Sequence, residues 1–177
     1  MTAPHVAELT ERDAERLLFR EARLLDNGDW DAWLALYTED STFWMPAWRN
    51  EAETTGDPDR ELSLIYYAGR RGIEERVWRA RSGLSVASTP RPRVVHAVTN
   101  VLLEGEAGGE WAVSACFTVH LYDPRSGGVH VNFGRYDYRL RHGNGNGDGG
   151  NGGWLIAAKT ITLLNDRIPT VVDFYSV

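Results

Sequence analysis

Polar and apolar positions along this chain fall into two regimes, helical spacing in the first half and strict alternation in the second. Thr10-Glu11-Arg12-Asp13 has the form of a capping box: the hydroxyl accepts from a free amide of the first turn and the acid reaches back, so a helix starts there. Leu17, Leu18, Ala22, Leu24 and Leu25 give that helix a broad apolar stripe, and Asp26-Asn27-Gly28 supplies its stop. Asp29 is the expected cap of a second helix, in which Trp30, Trp33, Leu34 and Tyr37 recur at helical spacing and form a buried aromatic face. Ser41 to Ala47 is β-prone and ends at Pro46, Trp48 to Arg60 reads as a long polar loop, and Leu62 to Tyr67 reads as extended. From Gly69 to Arg81 the stripe of Ile73, Val77 and Ala80, with Glu75 facing Arg79, predicts a third helix.

Past residue 92 the period changes. Val95, Ala97, Thr99, Val101 and Leu103 alternate with more polar neighbours, and Trp111, Val113, Ala115, Phe117, Val119 and Leu121 do so more cleanly. Gly105 to Gly109 joins these two strands, and Asp123 to Gly128 turns the chain into a third, running from about Val129 to Leu140. Its apolar parity switches at Gly134, which predicts a bulge or sharp bend there. Trp154 to Leu164 is a fourth strand, and Thr170 to Tyr175 a short last one. Helices followed by a bent antiparallel sheet make an α+β plan in which the helices cover one face and the sheet forms a cone. This plan resembles the NTF2-like (SnoaL-like) fold, a scaffold shared by isomerases, dehydratases, transport factors and non-catalytic subunits, so the fold alone does not fix a function. One domain is expected over 1–177, with a tail over 1–8 and a flexible Gly/Asn hairpin loop over 143–153.

Composition narrows the classes. At 177 residues the chain can bury one substantial core, and seven Trp, seven Tyr and five Phe supply bulky material for it. A net charge of -6 argues against nucleic-acid binding, which needs surplus Lys and Arg. No apolar run is long enough to span a bilayer and the charged start is unlike a signal peptide, so the expected location is the cytoplasm. Cys116 is the only cysteine, which excludes a disulfide framework, an iron–sulfur cluster and a Cys-rich zinc site held by this chain alone. Lys159 is the only lysine among basic residues that are otherwise Arg.

Two motifs invite chemistry and lose to plainer readings. Gly145 to Gly150 matches G-x-G-x-x-G literally, but a dinucleotide fingerprint needs a strand before it and a helix after it, whereas this tract joins two strands. The histidines His5, His96, His120, His130 and His142 do not stand with an acid at a spacing that makes a two-His, one-carboxylate metal site. The sharper alternative is a proton-transfer pocket formed by His96 and His120 with either Asp31 or Asp40 reaching in, since a carboxylate or imidazole in an apolar cone can acquire a pKa suited to that work. That version makes the chain a stand-alone dehydratase or isomerase; a ligand-binding module of the same fold is a further option.

A series of longer words points elsewhere. Phe19 to Asp26 (FREARLLD), Trp30 to Tyr37 (WDAWLALY), Phe43 to Arg49 (FWMPAWR) and Leu64-Ile65-Tyr66-Tyr67 resemble the beta (small) subunits of aromatic-ring-hydroxylating dioxygenases. Gly72 to Val77, Pro92-Arg93 with His96, Asn100-Val101, Phe133-Gly134-Arg135, and Leu163 to Asp166 with Asp173-Phe174-Tyr175 extend the likeness over nearly the whole chain. Pro46-Ala47-Trp48-Arg49 and the Leu-Ile-Tyr-Tyr word are most similar to the benzoate, toluate and anthranilate branch. The resemblance implies a non-catalytic subunit with no metal or cofactor of its own. A separate alpha subunit would carry the Rieske [2Fe-2S] cluster and mononuclear Fe(II), a reductase would deliver electrons from NADH, and an α3β3 hexamer would convert the arene to a cis-dihydrodiol. On that reading Trp44, Trp48, Arg49, Tyr66, Tyr67 and Arg70 are the candidate contacts with the alpha subunit, because aromatics and Arg are enriched at interface cores.

Overall fold

The computed structural model describes residues 8–85, 88–143, 153–165, 167–169 and 171–177. Most of the expected tail over 1–8 and of the Gly/Asn loop over 143–153, including the whole G-x-G-x-x-G match, lies outside these residues, as do His5, Asp166 and Thr170.

Helix α1 (Glu11–Asn27) begins and ends where its caps place it: the Thr10 hydroxyl accepts from the Asp13 amide at 3.2 Å, and Gly28 takes the left-handed conformation at φ 76°. Its buried face is Ala14, Leu17, Leu18, Glu21, Ala22 and Leu25, one turn after another along a single stripe. Helix α2 (Trp30–Leu34) is shorter than the aromatic spacing predicts. Asp29 makes no side-chain cap, and Tyr37 is already the first residue of strand β1 (Tyr37–Pro46), where it pairs with Ile156. The i, i+7 spacing is compatible with a helix, but a tertiary ladder claims the backbone first. Strand β2 (Ser63–Ala68) and helix α3 (Arg70–Arg81) follow, the latter burying Ile73, Val77 and Ala80 as the stripe requires.

Strands β3 (Arg93–Ala107), β4 (Glu110–Asp123), β5 (Gly128–His142) and β6 (Trp154–Leu163) complete one six-stranded sheet in the order β2-β1-β6-β5-β4-β3. The β1–β6 pair is parallel and the others are antiparallel. Helices lie against one face and enclose a single apolar core, which is the NTF2-like cone. None of the described helices is long and apolar enough to cross a membrane.

Three strand details differ from the alternation. The sharp irregularity lies on β3, not at Gly134: Asn100 adopts φ 56°, and Asn100 and Val101 together fill the gap between the Thr99–Cys116 and Leu102–Ser114 pairs. Two residues opposite one is a bulge, and Asn tolerates the left-handed region it needs. Before the bulge β3 buries Val94 and His96; after it, Val101. Val95 therefore faces outward at 60% exposure, opposite to the simple alternation. On β5 the β4 register runs unbroken through Gly134, and the inward positions stay even-numbered from Asn132 to Leu140. The apparent parity switch arises because the polar Asn132 is buried while Val129 and Phe133 are exposed. Finally, Asp173 to Ser176 forms a capped 3-10 turn, not a strand: the Asp173 carboxylate accepts from the Phe174 amide, and the Ser176 hydroxyl accepts from the Asp173 amide at 2.9 Å.

Gly134 has a different task. A Cβ there would lie 1.9 Å from the Thr162 carbonyl oxygen and 3.0 Å from the Phe117 ring, so the residue permits β5 and β6 to approach over a packed aromatic. Gly134→Ala is expected to destabilise the fold by about 3 kcal/mol, the upper range for overpacking a tight core site. Urea unfolding of the variant against the parent measures this, and a loss below about 0.5 kcal/mol, the scale of an ordinary surface substitution, would refute it.

Candidate functional site

The interior of the cone holds a buried acid and a buried base. Glu21, from the apolar stripe of α1, is 2% exposed, and Lys159, from β6, is 1% exposed. The Lys159 ammonium donates to Glu21 Oε1 at 3.0 Å. Three further donors converge on the same carboxylate: Tyr37 Oη at 2.5 Å, Trp33 Nε1 at 3.3 Å, and Tyr138 Oη at 2.7 Å on the second oxygen. Lys159 also lies 4.0 Å from the centre of the Tyr136 ring, a cation–π contact that helps replace lost hydration.

The electrostatics follow from this packing. Burial pushes the Glu21 carboxyl up, but Lys159 and the hydroxyls of Tyr37 and Tyr138 outweigh it, so its pKa lies below the ordinary value. Burial drives the Lys159 ammonium down, with the Glu21 charge opposing. The phenols of Tyr37, Tyr136 and Tyr138 are pushed well up, first by burial and then by the nearby Glu21 charge.

The C-terminal turn closes one side of this interior. Phe174 stacks on Trp33 at 5.1 Å, and Tyr175 stacks on Trp30 at 5.8 Å. Arg76 of α3 grips the buried Asp173 carboxylate in a fork, through Nε at 2.9 Å and a second bond from Nη2, and Ser88 shares a hydrogen bond with the Tyr175 hydroxyl at 3.0 Å. The aromatic face of α2 thus packs onto the last residues of the chain.

The four residues of the alternative pocket do not come together. Asp31 pairs with Arg81 at 2.7 Å on the surface, and Asp40 pairs with Arg141 at 3.0 Å at another exposed point. His120 points out of the sheet and is exposed. His96 alone is buried, where Asp26 at the end of α1 holds both its backbone amide, at 3.0 Å, and its Nδ1, at 2.6 Å. The strand parity explains the split: His96 and His120 occupy opposite faces of the β3–β4 ladder.

The six interface candidates divide as well. Trp44 and Tyr66 form a cross-strand pair on the outward side of β1–β2, with the Trp44 indole donating to Ser63 at 2.9 Å. Trp48 is partly exposed beside Leu164 on an open groove, its indole donating to the Leu163 carbonyl at 2.7 Å, and Arg49 pairs with Glu61 and Glu53. Tyr67 instead turns inward against Phe43, and Arg70 is held by Glu74, Glu39 and the Tyr37 carbonyl. Sequence reasoning missed the Glu21–Lys159 centre, although each half left a trace: an acid on the apolar stripe of α1, and a lysine at an inward parity of β6.

Among known families, the one described as ring-hydroxylating beta subunit matches residues 20–170. The 2-halobenzoate 1,2-dioxygenase small subunit of Burkholderia cepacia is 40% identical over 166 residues, covering 93% of this chain and 94% of that protein. The toluate 1,2-dioxygenase subunit beta of Pseudomonas putida is 37% identical over 90% of this chain and 93% of its own length. The crystal structure of the benzoate 1,2-dioxygenase beta subunit from Burkholderia mallei superposes with a TM-score of 0.76 at 32% identity, covering 97% of this chain and 99% of that one.

The buried cluster makes two predictions. Glu21→Ala leaves an ammonium buried without its counter-charge and is expected to cost 3–5 kcal/mol, roughly the range for breaking a buried pair, whereas the apolar double change Glu21→Leu with Lys159→Met should cost markedly less. Denaturant unfolding of the three proteins decides, and equal losses would reject the ion-pair account. Stability should also fall at high pH. A raised phenol pKa means stability is fully present below the ordinary value of 10.0 and is lost as pH rises through the folded values, so Tyr37, Tyr136 and Tyr138 should ionise only as the chain unfolds. Glu21 has the opposite sign: its contribution is present above the ordinary 4.5 and is lost as pH falls through its lower folded value. Circular dichroism with tyrosinate absorbance across pH tests both limbs.

Proposed function

The chain belongs to the ring-hydroxylating beta-subunit family, and on that premise we propose that it is the small, non-catalytic subunit of a multicomponent aromatic-ring dioxygenase. The observation that supports a structural role is the paired interior: Glu21 and Lys159 are buried and bonded to each other, and Phe174 and Tyr175 pack on Trp33 and Trp30 beside them. The substrate class we assign to the complex is a benzoate-type aromatic acid, by analogy with the 2-halobenzoate and toluate relatives.

A Rieske cluster and a mononuclear iron do not fit this chain. Cys116, its one cysteine, lies exposed on β4, and among the described residues no three His, Cys, Asp or Glu side chains are grouped to hold a metal ion. We assign both centres to an alpha subunit, which would bind and dihydroxylate the arene at the cost of O2 and of electrons from NADH passed through a reductase. Three copies of each subunit would form the cytoplasmic assembly. This chain's own part is recognition, and Trp44, Trp48, Arg49 and Tyr66 are the residues we assign to the alpha contact. They lie toward the β1–β2 end of the sheet, and both Trp48 and Arg49 remain partly exposed.

Co-expression with an alpha subunit is expected to give a stable complex with cis-dihydroxylating activity, while this chain alone binds no iron and turns over no arene. Tyr66→Ala should weaken the subunit contact about 30-fold, an interface hot spot of about 2 kcal/mol, with its own thermal unfolding nearly unchanged. Asp40→Asn and His120→Ala should leave turnover of the complex intact. Dehydratase or isomerase activity in the purified chain, lost in His96→Ala, would overturn the reading.

A further inference from the structure

The cross-strand pair of Leu121 and His130 borders a cavity of about 180 Å³ at the end of the sheet, where the chain turns from β4 into β5. Leu121 and Pro92, both buried, form two of its walls, and Pro169 joins them from the stretch between β6 and the C-terminal turn. None of these three side chains carries a hydrogen-bonding group. His130 is the half-buried polar wall, and Asp123 and Arg125 line the cavity from the turn. A cavity of roughly 150 Å³ with apolar walls takes up one benzene molecule, so the space here suits a single aromatic ring. None of these residues belongs to the Glu21–Lys159 centre.

The hydrogen bonds behind His130 fix which atom is left for a ligand. The Asn132 side-chain nitrogen donates to the Ser176 carbonyl at 2.8 Å, so its oxygen is the atom that meets His130, and it can only accept. That oxygen takes the Asn165 amide at 3.1 Å and His130 Nε2 at 2.8 Å. Nε2 therefore carries a hydrogen, and Nδ1 of the neutral ring offers a lone pair that no described residue takes up. A lone pair beside apolar walls suits a ligand hydroxyl and opposes a carbonyl or a carboxylate. Charge at the turn acts in the same direction. Asp123 accepts from the Arg125 amide at 2.9 Å, from Arg125 Nε at 3.2 Å and from the Ser126 hydroxyl at 3.1 Å, and these bonds, the amide first, hold its carboxyl below the ordinary range. Its charge is thus committed to Arg125. An anionic ring would set a second carboxylate beside Asp123 and lose its own hydration.

We propose that this cavity is a binding site for a neutral, single-ring aromatic alcohol of the phenol class. The ring lies against Pro92, Leu121 and Pro169, and its hydroxyl donates to His130 Nδ1. Such a ligand touches β4, β5, the residue ahead of β3 and the C-terminal stretch at once. Through His130 and Asn132 it is also linked to Ser176, in the turn whose Phe174 and Tyr175 stack on Trp33 and Trp30. The site is formed by this chain alone and does not rest on the alpha-subunit reading.

NMR titration of the full chain with phenol, anisole and benzoate, without an alpha subunit, tests the assignment. Phenol should give saturable shifts at Leu121 and His130 with a Kd on the order of 1 mM, the affinity expected of so few ligand atoms. Anisole keeps the ring and loses the donor, so it should bind about tenfold more weakly, the scale of one hydrogen bond. Benzoate should give no saturable shift. His130→Ala should bring phenol and anisole to the same affinity, and because the two ligands are first compared on the parent, a variant that fails to fold leaves the test in force. Absence of saturable phenol binding, equal affinity for phenol and anisole in the parent, tighter binding of benzoate, or a phenol preference that survives in His130→Ala would each overturn the proposal. Co-expression with an alpha subunit is scored separately: loss of that complex leaves phenol binding by the isolated chain in place, and loss of phenol binding leaves the complex in place.

Discussion

Everything in this fold is arranged around one buried ion pair. Taking Glu21 and Lys159 out of water costs several kcal/mol per ion, and their mutual attraction offsets this only when the remaining lone pairs and protons are satisfied. Here the carboxylate receives four donors from three different strands and a helix, while the ammonium lies against an aromatic ring. Each donor fixes the element that carries it: Tyr37 sets the start of β1, Trp33 the pitch of α2, Tyr138 the face of β5, and Lys159 the face of β6. The sheet must curve for these groups to reach one point on α1. The same convergence commits the two ions of the interior to each other and to the groups around them.

What the sequence made readable is the local part of this plan. Thr10 and Gly28 bracket α1 because caps are chemistry between near neighbours, and β4 is read correctly because its inward residues alternate without interruption. Errors appear where distant partners decide. Tyr37 fits a helix by spacing and is taken by a ladder with Ile156; Val95 fits the inward row until the bulge at Asn100 is known; Asp173 to Ser176 looks β-prone but satisfies its amides within its own turn.

The functional reading divides in the same way. Extended word-like stretches such as Phe43 to Arg49 identified the family because they register many positions at once. Pairings across the fold, such as Asp26 with His96 over seventy positions, have no local signature. The parity switch on β5 was a real signal with a different meaning: it marks a polar residue turned inward at Asn132 and apolar residues turned outward, not a break in the strand.

The Asp26–His96 contact has a consequence for solubility. β3 is the last strand of the sheet, and such an edge presents unpaired amides on which another chain can template. By accepting the His96 amide at 3.0 Å, Asp26 occupies the hydrogen bond that an incoming strand would need, and its charge adds a repulsive gate at the same point. Continuous growth of sheet on sheet requires two open ends. A carboxylate at the end of a helix closes one of them, which keeps the sheet from becoming the seed of a fibre.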